Sequence, residues 1–411
     1  MKFYVCLSID ISVKSIINNY NKFKKAIFIL LLLPLFWFGI KAGWNKANSD
    51  FPNYYVSAQL LVKGGLNDAY NVALFNQHIR NYNKDAQGLF VMYPPTTALL
   101  AVPLTIFDLL NAKRIWIILS LCSALGIVLL ISKICDIDKI DAANIFLLCG
   151  FNFYNDLMLG QVYTLMLFLL FWGWYAAIKN KNLVSGLSWG ILAAIKFLPL
   201  FFIPVLLFKK QYTNSLMLLF TFITIHLICF FTVGSNVYQS FIEVFTSNYI
   251  QGKVANDTPL SIQYQSIEVI ANLAPQHFDL SDGMINFIKL FWKIGWLLLA
   301  AIIGLKYIKS KSLMSIALAS LILLLLLFEN GSATYHLLFA LFALIVFLNE
   351  IKDKFWQLLG ILSFAAMGFI PVITSVLAAD NLFINFSRLW CLSFFAACFF
   401  IGCYKQHRFD K

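Results

Sequence analysis

The sequence predicts an all-α, polytopic integral membrane protein, and three observations carry that prediction. Of its 411 residues, 61% are hydrophobic and only 12% charged, with a mean hydropathy of +0.79, which leaves too little polar surface to cover a soluble globule. Apolar runs of about 17 to 25 residues recur through most of the length, each able to cross roughly 30 Å of hydrocarbon as a helix. The runs are continuous, whereas strands of a membrane barrel would alternate.

Taken in order, the expected spans are 26–43, 112–133, 142–158, 162–178, 213–234, 284–308, 313–328, 336–350, 356–378 and 383–404. Two further segments contain prolines: 90–110 with Pro94, Pro95 and Pro103, and 183–208 with Lys196, Pro199 and Pro204. Each reads as one kinked span or as a broken, re-entrant pair, giving roughly 10 to 13 membrane helices in a single domain over 1–411. The first run has no small-residue cleavage site and is read as a retained helix. Eight cysteines lie mainly in or beside apolar runs without CxxC spacing, so neither a disulfide framework nor a zinc site is implied.

The net charge of +12 would suggest nucleic acid for a soluble chain, but here its placement decides. Lys14, Lys22, Lys24 and Lys25 precede the first run, and Lys209, Lys210, Lys306, Lys309, Lys311, Lys352, Lys354, Lys405 and Arg408 fall in short breaks between or after later ones. These are the marks of cytoplasmic ends: a cytoplasmic N-terminal segment over 1–25 and a cytoplasmic tail over 405–411. The segment 235–283 carries Glu243, Asp257, Glu268, Asp279 and Asp282 against Lys253 alone, and reads as a large extracytoplasmic loop. The chain is thus expected to be multi-pass in the plasma membrane, with membrane lipid and not nucleic acid as its partner. If Lys179–Asn182 is also cytoplasmic, 183–208 must go out and return, bringing Lys196 near the outer surface.

The first outside loop, 44–92, opens with "NSDFPNYYVSAQLLVKGG". A proline near a first turn, one apolar face and a Gly64-Gly65 stop describe a short helix along the membrane surface, followed by a weaker amphipathic piece over 71–83. Asp50 stands just past the first run, either as a helix N-cap or as a carboxylate held where a membrane-bound substrate could meet it. Lys196 lies in an apolar segment, where a lysine costs a few kcal/mol unless it faces a polar cavity, a partner or the interface. His336 opens a span beside Glu329 and Tyr335, and Arg388 lies within the last span. Asn155, Asp156 and Gln161 sit at a break between runs, suited either to sugar hydroxyls or to helix capping. Tyr54, Tyr55 and Tyr70 could stack on a sugar or form an aromatic belt, and Asp68 reads as a turn residue or a second carboxylate.

"D-F-P-x-Y-Y-x-x-A-x-x-L-x-x-G" at Asp50–Gly64, "D-A-Y" at Asp68–Tyr70, "Y-P-P" at Tyr93–Pro95, "L-G-Q-V" at Leu159–Val162 and "I-K-F-L-P" at Ile195–Pro199 together resemble the glycosyltransferase 87 family, also called DUF2029. The resemblance runs from the first outside loop to about His336. It implies a GT-C-like fold, an extracytoplasmic active site and a sugar donor joined to a polyprenyl phosphate, passed to a lipid or glycan acceptor with inversion. Named members use a mannose donor, so a hexose is implied here. The same resemblance makes Asp50 the general base; for the phosphate leaving group it implies, Lys196, His336 and Arg388 are the basic candidates by their positions, and Tyr54, Tyr55, Asp68, Tyr70, Asn155, Gln161 and Glu329 are candidates for sugar or acceptor.

There is no Walker loop and no GxGxxG after a strand, so a lipid-linked donor is expected in place of a nucleotide sugar. No cofactor and no metal are expected, since "DIDKID" at Asp136–Asp141 is short and interrupted by Lys139. The rival classes are a lipid-linked polysaccharide polymerase, a flippase and a transporter. The two proline-broken segments lack the mutual similarity of transporter repeats, and 235–283 lacks the arginines expected of a polymerase.

Overall fold

The computed structural model describes residues 20–46, 49–82, 84, 86–249, 265–273, 281–308, 310, 312–329, 333–377 and 382–409. Lys14, Lys253, Asp257, Asp279, Lys309 and Lys311 lie outside the described residues, as does the side chain of Arg408. Among the described residues the structure is helical, with no strand.

Among the described residues, five helices are long and apolar enough to cross a membrane: Tyr20–Trp44, Leu109–Cys135, Tyr212–Val233, Asp282–Lys306 and Ser387–Gln406. The other expected spans are shorter or broken. The run expected as one span over 142–158 is divided into helices Lys139–Leu147 and Phe151–Leu159. Gly150 between them adopts φ +53° and ψ −127°, a region open essentially to glycine, and a Cβ there would meet the Gly368 carbonyl oxygen at 2.5 Å. The chain then turns by 119° into Tyr163–Ile178. In the first loop, Phe51–Val62 forms the expected helix, but eight of its twelve residues are buried in protein.

Contacts between distant parts of the chain sort the helix ends into two groups. At one end Lys24 pairs with Asp138 and Asp141. At the same ends of later helices, the Lys209 amine donates to the Ser310 carbonyl at 3.0 Å, Lys306 to the Tyr404 carbonyl at 2.5 Å, and the Trp174 indole to Ser315 Oγ at 3.0 Å. The lysine-rich breaks therefore gather where helices such as Tyr163–Ile178 finish and Leu313–Phe328 starts. The opposite ends carry Asp50, Tyr163, Lys196, Glu329 and His336.

This arrangement decides the reading of 183–208. Helix Asn182–Ile195 leaves from the lysine-rich end, breaks at Lys196, whose backbone is extended, and the chain returns through Leu198–Phe202 and Ile203–Phe208 to Lys209. The break frees carbonyls that cannot be left bare inside a membrane protein. Thr97 donates to the Ile195 carbonyl at 3.1 Å and Thr96 to that of Ala194. Both threonines sit on the ten-residue 3₁₀ helix Pro95–Leu104, so one proline-broken segment supplies the hydrogen bonds that the break in the other leaves open.

The Asn182–Ile195 helix is held by close packing on Tyr212–Val233. A Cβ on Gly186 would lie 2.6 Å from the Asn214 carbonyl oxygen, and one on Gly190 would lie 2.7 Å from the Leu218 carbonyl oxygen. Small residues four apart let two membrane helices approach at backbone distance. Gly190→Leu is expected to lower stability by about 1–3 kcal/mol through overpacking, read as an earlier thermal transition in detergent.

Candidate active site

The lysine at the break, Lys196, points its amine into a cavity of about 500 Å³ walled mainly by Phe197, Phe201, Phe245, Leu325, Leu326 and Phe328. One side of that cavity is polar. The Lys196 amine donates to Glu329 Oε1 and to the Tyr163 hydroxyl, each at 3.0 Å. His336 closes the ring: its Nδ1 lies 2.7 Å from Glu329 Oε2 and its Nε2 2.6 Å from the Tyr163 hydroxyl. These four side chains satisfy one another if His336 donates from Nδ1 to the carboxylate and accepts the Tyr163 proton at Nε2. Each occupies a chain end or break: Tyr163 begins a helix after the 119° turn, Glu329 ends Leu313–Phe328, and His336 lies in the 3₁₀ turn Thr334–Phe339. Irregular backbone at this depth is tolerated where it lines a cavity.

A second polar group, which does not itself line the cavity, is joined to it through Tyr93, which does. Asp50 is half-buried, and its Oδ2 accepts from the Gln161 side-chain amide at 2.5 Å. Gln161 Oε1 in turn accepts from the Tyr54 hydroxyl at 2.5 Å and from that of Tyr93 at 3.4 Å, while Tyr54 and Tyr93 lie 2.9 Å apart, oxygen to oxygen. Asp50 occupies the N-cap position of Phe51–Val62 yet makes no side-chain cap; its carboxylate is engaged across the fold instead. Burial raises its pKa above the usual carboxylate value, partly offset by the Gln161 hydrogen bond and the charges of Lys113 and Lys46.

Lys113, 1% exposed, donates to the carbonyls of Lys46 at 2.7 Å and Met158 at 2.8 Å. It ties the loop before Asp50 to the end of Phe151–Leu159. The Asp50 backbone amide adds a bond to the Leu159 carbonyl at 3.1 Å.

The structure brings together Asp50, Tyr54 and Gln161 in one group and Lys196, Glu329 and His336 in the other. Asn155 lies near the second, donating to Thr334 Oγ1 at 3.0 Å. Asp156 is buried and accepts from the Tyr163 amide and the Thr164 hydroxyl, so it anchors a helix start. The remaining candidates are elsewhere. Tyr55 and Tyr70 are buried, their hydroxyls bound to the carbonyls of Phe107 and Tyr93, and no ring face is left for a sugar. Asp68 pairs with His78 at 2.9 Å on the outside of the loop. Arg388 is buried beside Gln265 and does not line the cavity.

Sequence reasoning missed Tyr163, Tyr93 in its own right, and Lys113. Tyr163 directly follows "LGQV". Lys113 stands at the start of an apolar run and meets the same test that singled out Lys196. Among the described residues, no three His, Cys, Asp or Glu side chains converge as a metal site would require.

No curated protein matches the chain. Residues 90–328 match the sequence pattern of Glycosyltransferase family 87. That span begins at the chain's return from the first loop and ends one residue before Glu329, so it includes Tyr93, Gln161, Tyr163 and Lys196. It covers more than half of the 411 residues, and the chain, a helical membrane protein, belongs to glycosyltransferase family 87.

Proposed function

We propose that this membrane glycosyltransferase moves a hexose from a polyprenyl-phosphate donor to a lipid or glycan acceptor at the extracytoplasmic face, with inversion at the anomeric carbon. The observation that supports this most is the form of the cavity. Its walls are aromatic and aliphatic, as a prenyl chain requires, and its polar side presents a lysine amine, a histidine and a tyrosine hydroxyl within one hydrogen-bonded ring. A lipid-linked donor needs both properties in one place: apolar wall for the carrier and donors for the phosphate that leaves.

In this reading Lys196 takes the donor phosphate, and His336 and Tyr163 flank it. Glu329 holds the amine and the imidazole in place until the phosphate arrives. Asp50 is the base that accepts the acceptor's hydroxyl proton as its oxygen attacks opposite the departing phosphate. Of the two carboxylates, Glu329 has both oxygens engaged by Lys196 and His336, whereas Asp50 has a raised affinity for protons. The lysine-rich helix ends lie away from this cavity, which by the charge bias of membrane proteins supports an active site facing outward.

Purified protein in liposomes, given radiolabelled polyprenyl-phosphate hexoses or the matching nucleotide hexoses with membrane glycolipids, tests the donor. Transfer from the prenyl-phosphate sugar alone is expected. Equal transfer from the nucleotide sugar, or none from any prenyl donor, would overturn the proposal.

A further inference from the structure

Gln161 stands in the "L-G-Q-V" motif as a candidate for sugar hydroxyls or for helix capping, and its surroundings leave no room for a sugar. It is 2% exposed. Its amide nitrogen faces Asp50 and its amide oxygen faces the Tyr54 and Tyr93 hydroxyls. The orientation is forced: a carboxylate only accepts, so the nitrogen must be on that side and the oxygen must turn to the tyrosines. The backbone is fixed as well, with the Gln161 amide on the Asp156 carbonyl at 2.9 Å and the Gln161 carbonyl accepting from the Trp116 indole at 3.0 Å. The preceding Gly160 adopts φ +72°, where a side chain would be strained, and a Cβ would meet Phe51 Cβ at 2.8 Å.

We infer that Gln161 is a positioning residue: it fixes the rotation of the Asp50 carboxylate and couples it, through Tyr93, to the wall of the cavity. An amide with both ends bound does not ferry protons, so Gln161 acts on the direction and basicity of Asp50. One oxygen, Oδ2, is committed to Gln161, which leaves the other carboxylate oxygen to take the acceptor's proton. This inference rests on the reading of Asp50 as the base.

The charged groups facing Asp50 are Lys113 from Leu109–Cys135 and Lys46 from the segment after the first helix; the other titratable neighbours, Tyr54 and Tyr93, are reached through Gln161. A hydrogen bond to the charged form favours it, so removing the bond raises the pH at which Asp50 deprotonates.

The test is the pH profile of kcat/KM in liposomes for the wild type, Gln161→Ala, Gln161→Glu, Tyr93→Phe and Asp50→Asn, each first checked for monodisperse elution. Gln161→Ala is expected to move the acid limb up by about one pH unit, and Gln161→Glu by more, because two adjacent carboxylates share a proton. Gln161→Glu keeps the side chain's size, so the test survives if the alanine variant does not fold. Tyr93→Phe should raise KM and leave the acid limb in place. An acid limb that stays put in both Gln161 variants, with transfer lowered evenly at every pH, would overturn the inference and leave Asp50 as base. Wild-type transfer by Asp50→Asn would instead overturn the reading beneath it.

Discussion

Asp50→Asn is expected to lower transfer by about 10² to 10⁴ at neutral pH, the usual contribution of a general base. The substitution keeps the size of the side chain and can still accept from Gln161 through its oxygen, so folding should be close to normal. The sign of the pH dependence follows from the burial of Asp50. The base works when deprotonated, and its pKa lies above the ordinary carboxylate value, so wild-type kcat/KM should rise with pH through that raised value. The acid limb should be absent in Asp50→Asn. Single-turnover rates measured from pH 4 to 9 check both points, and an unchanged acid limb in the variant would remove Asp50 from the chemistry.

Lys196→Met is expected to act on two quantities at once. It takes away a donor to the leaving phosphate, worth on the order of 10² to 10³ in rate. It also leaves Glu329, whose side chain is 12% exposed, with His336 but without its lysine, at a cost of about 1 to 3 kcal/mol in stability. Glu329→Gln added to Lys196→Met removes the stranded charge, so the double variant should recover much of the thermal stability and none of the transfer. Recovery of activity along with stability would mean that Lys196 serves only to hold the fold.

The sequence displayed the class of this protein more clearly than its interior. Continuous apolar runs announced the membrane helices, because a span is a matter of length and composition. The break inside 142–158 was harder to see: Gly150 looks like any glycine until Gly368 is found against it. The out-and-back path of 183–208 was legible as one of two alternatives, from lysine placement and prolines; what was hidden is that Thr96 and Thr97 supply the missing hydrogen bonds from a hundred residues away. At the site, Lys196 stood out because charge inside apolar sequence demands a reason, and Glu329 only as a neighbour of His336. Tyr163 did not, since a tyrosine at a membrane boundary has an ordinary explanation in the interfacial belt. Arg388 was a candidate only by its place in the last span, and it is buried elsewhere in the fold, beside Gln265.

The capping of one proline-interrupted segment by the other has a consequence for exchanging parts between relatives. A graft of residues 182–208 alone would import a severed helix without the hydroxyls that quiet its bare carbonyls, and a graft of 93–105 alone would bring those hydroxyls to a helix that does not need them. The transplantable unit is the two pieces together, though they lie far apart along the chain.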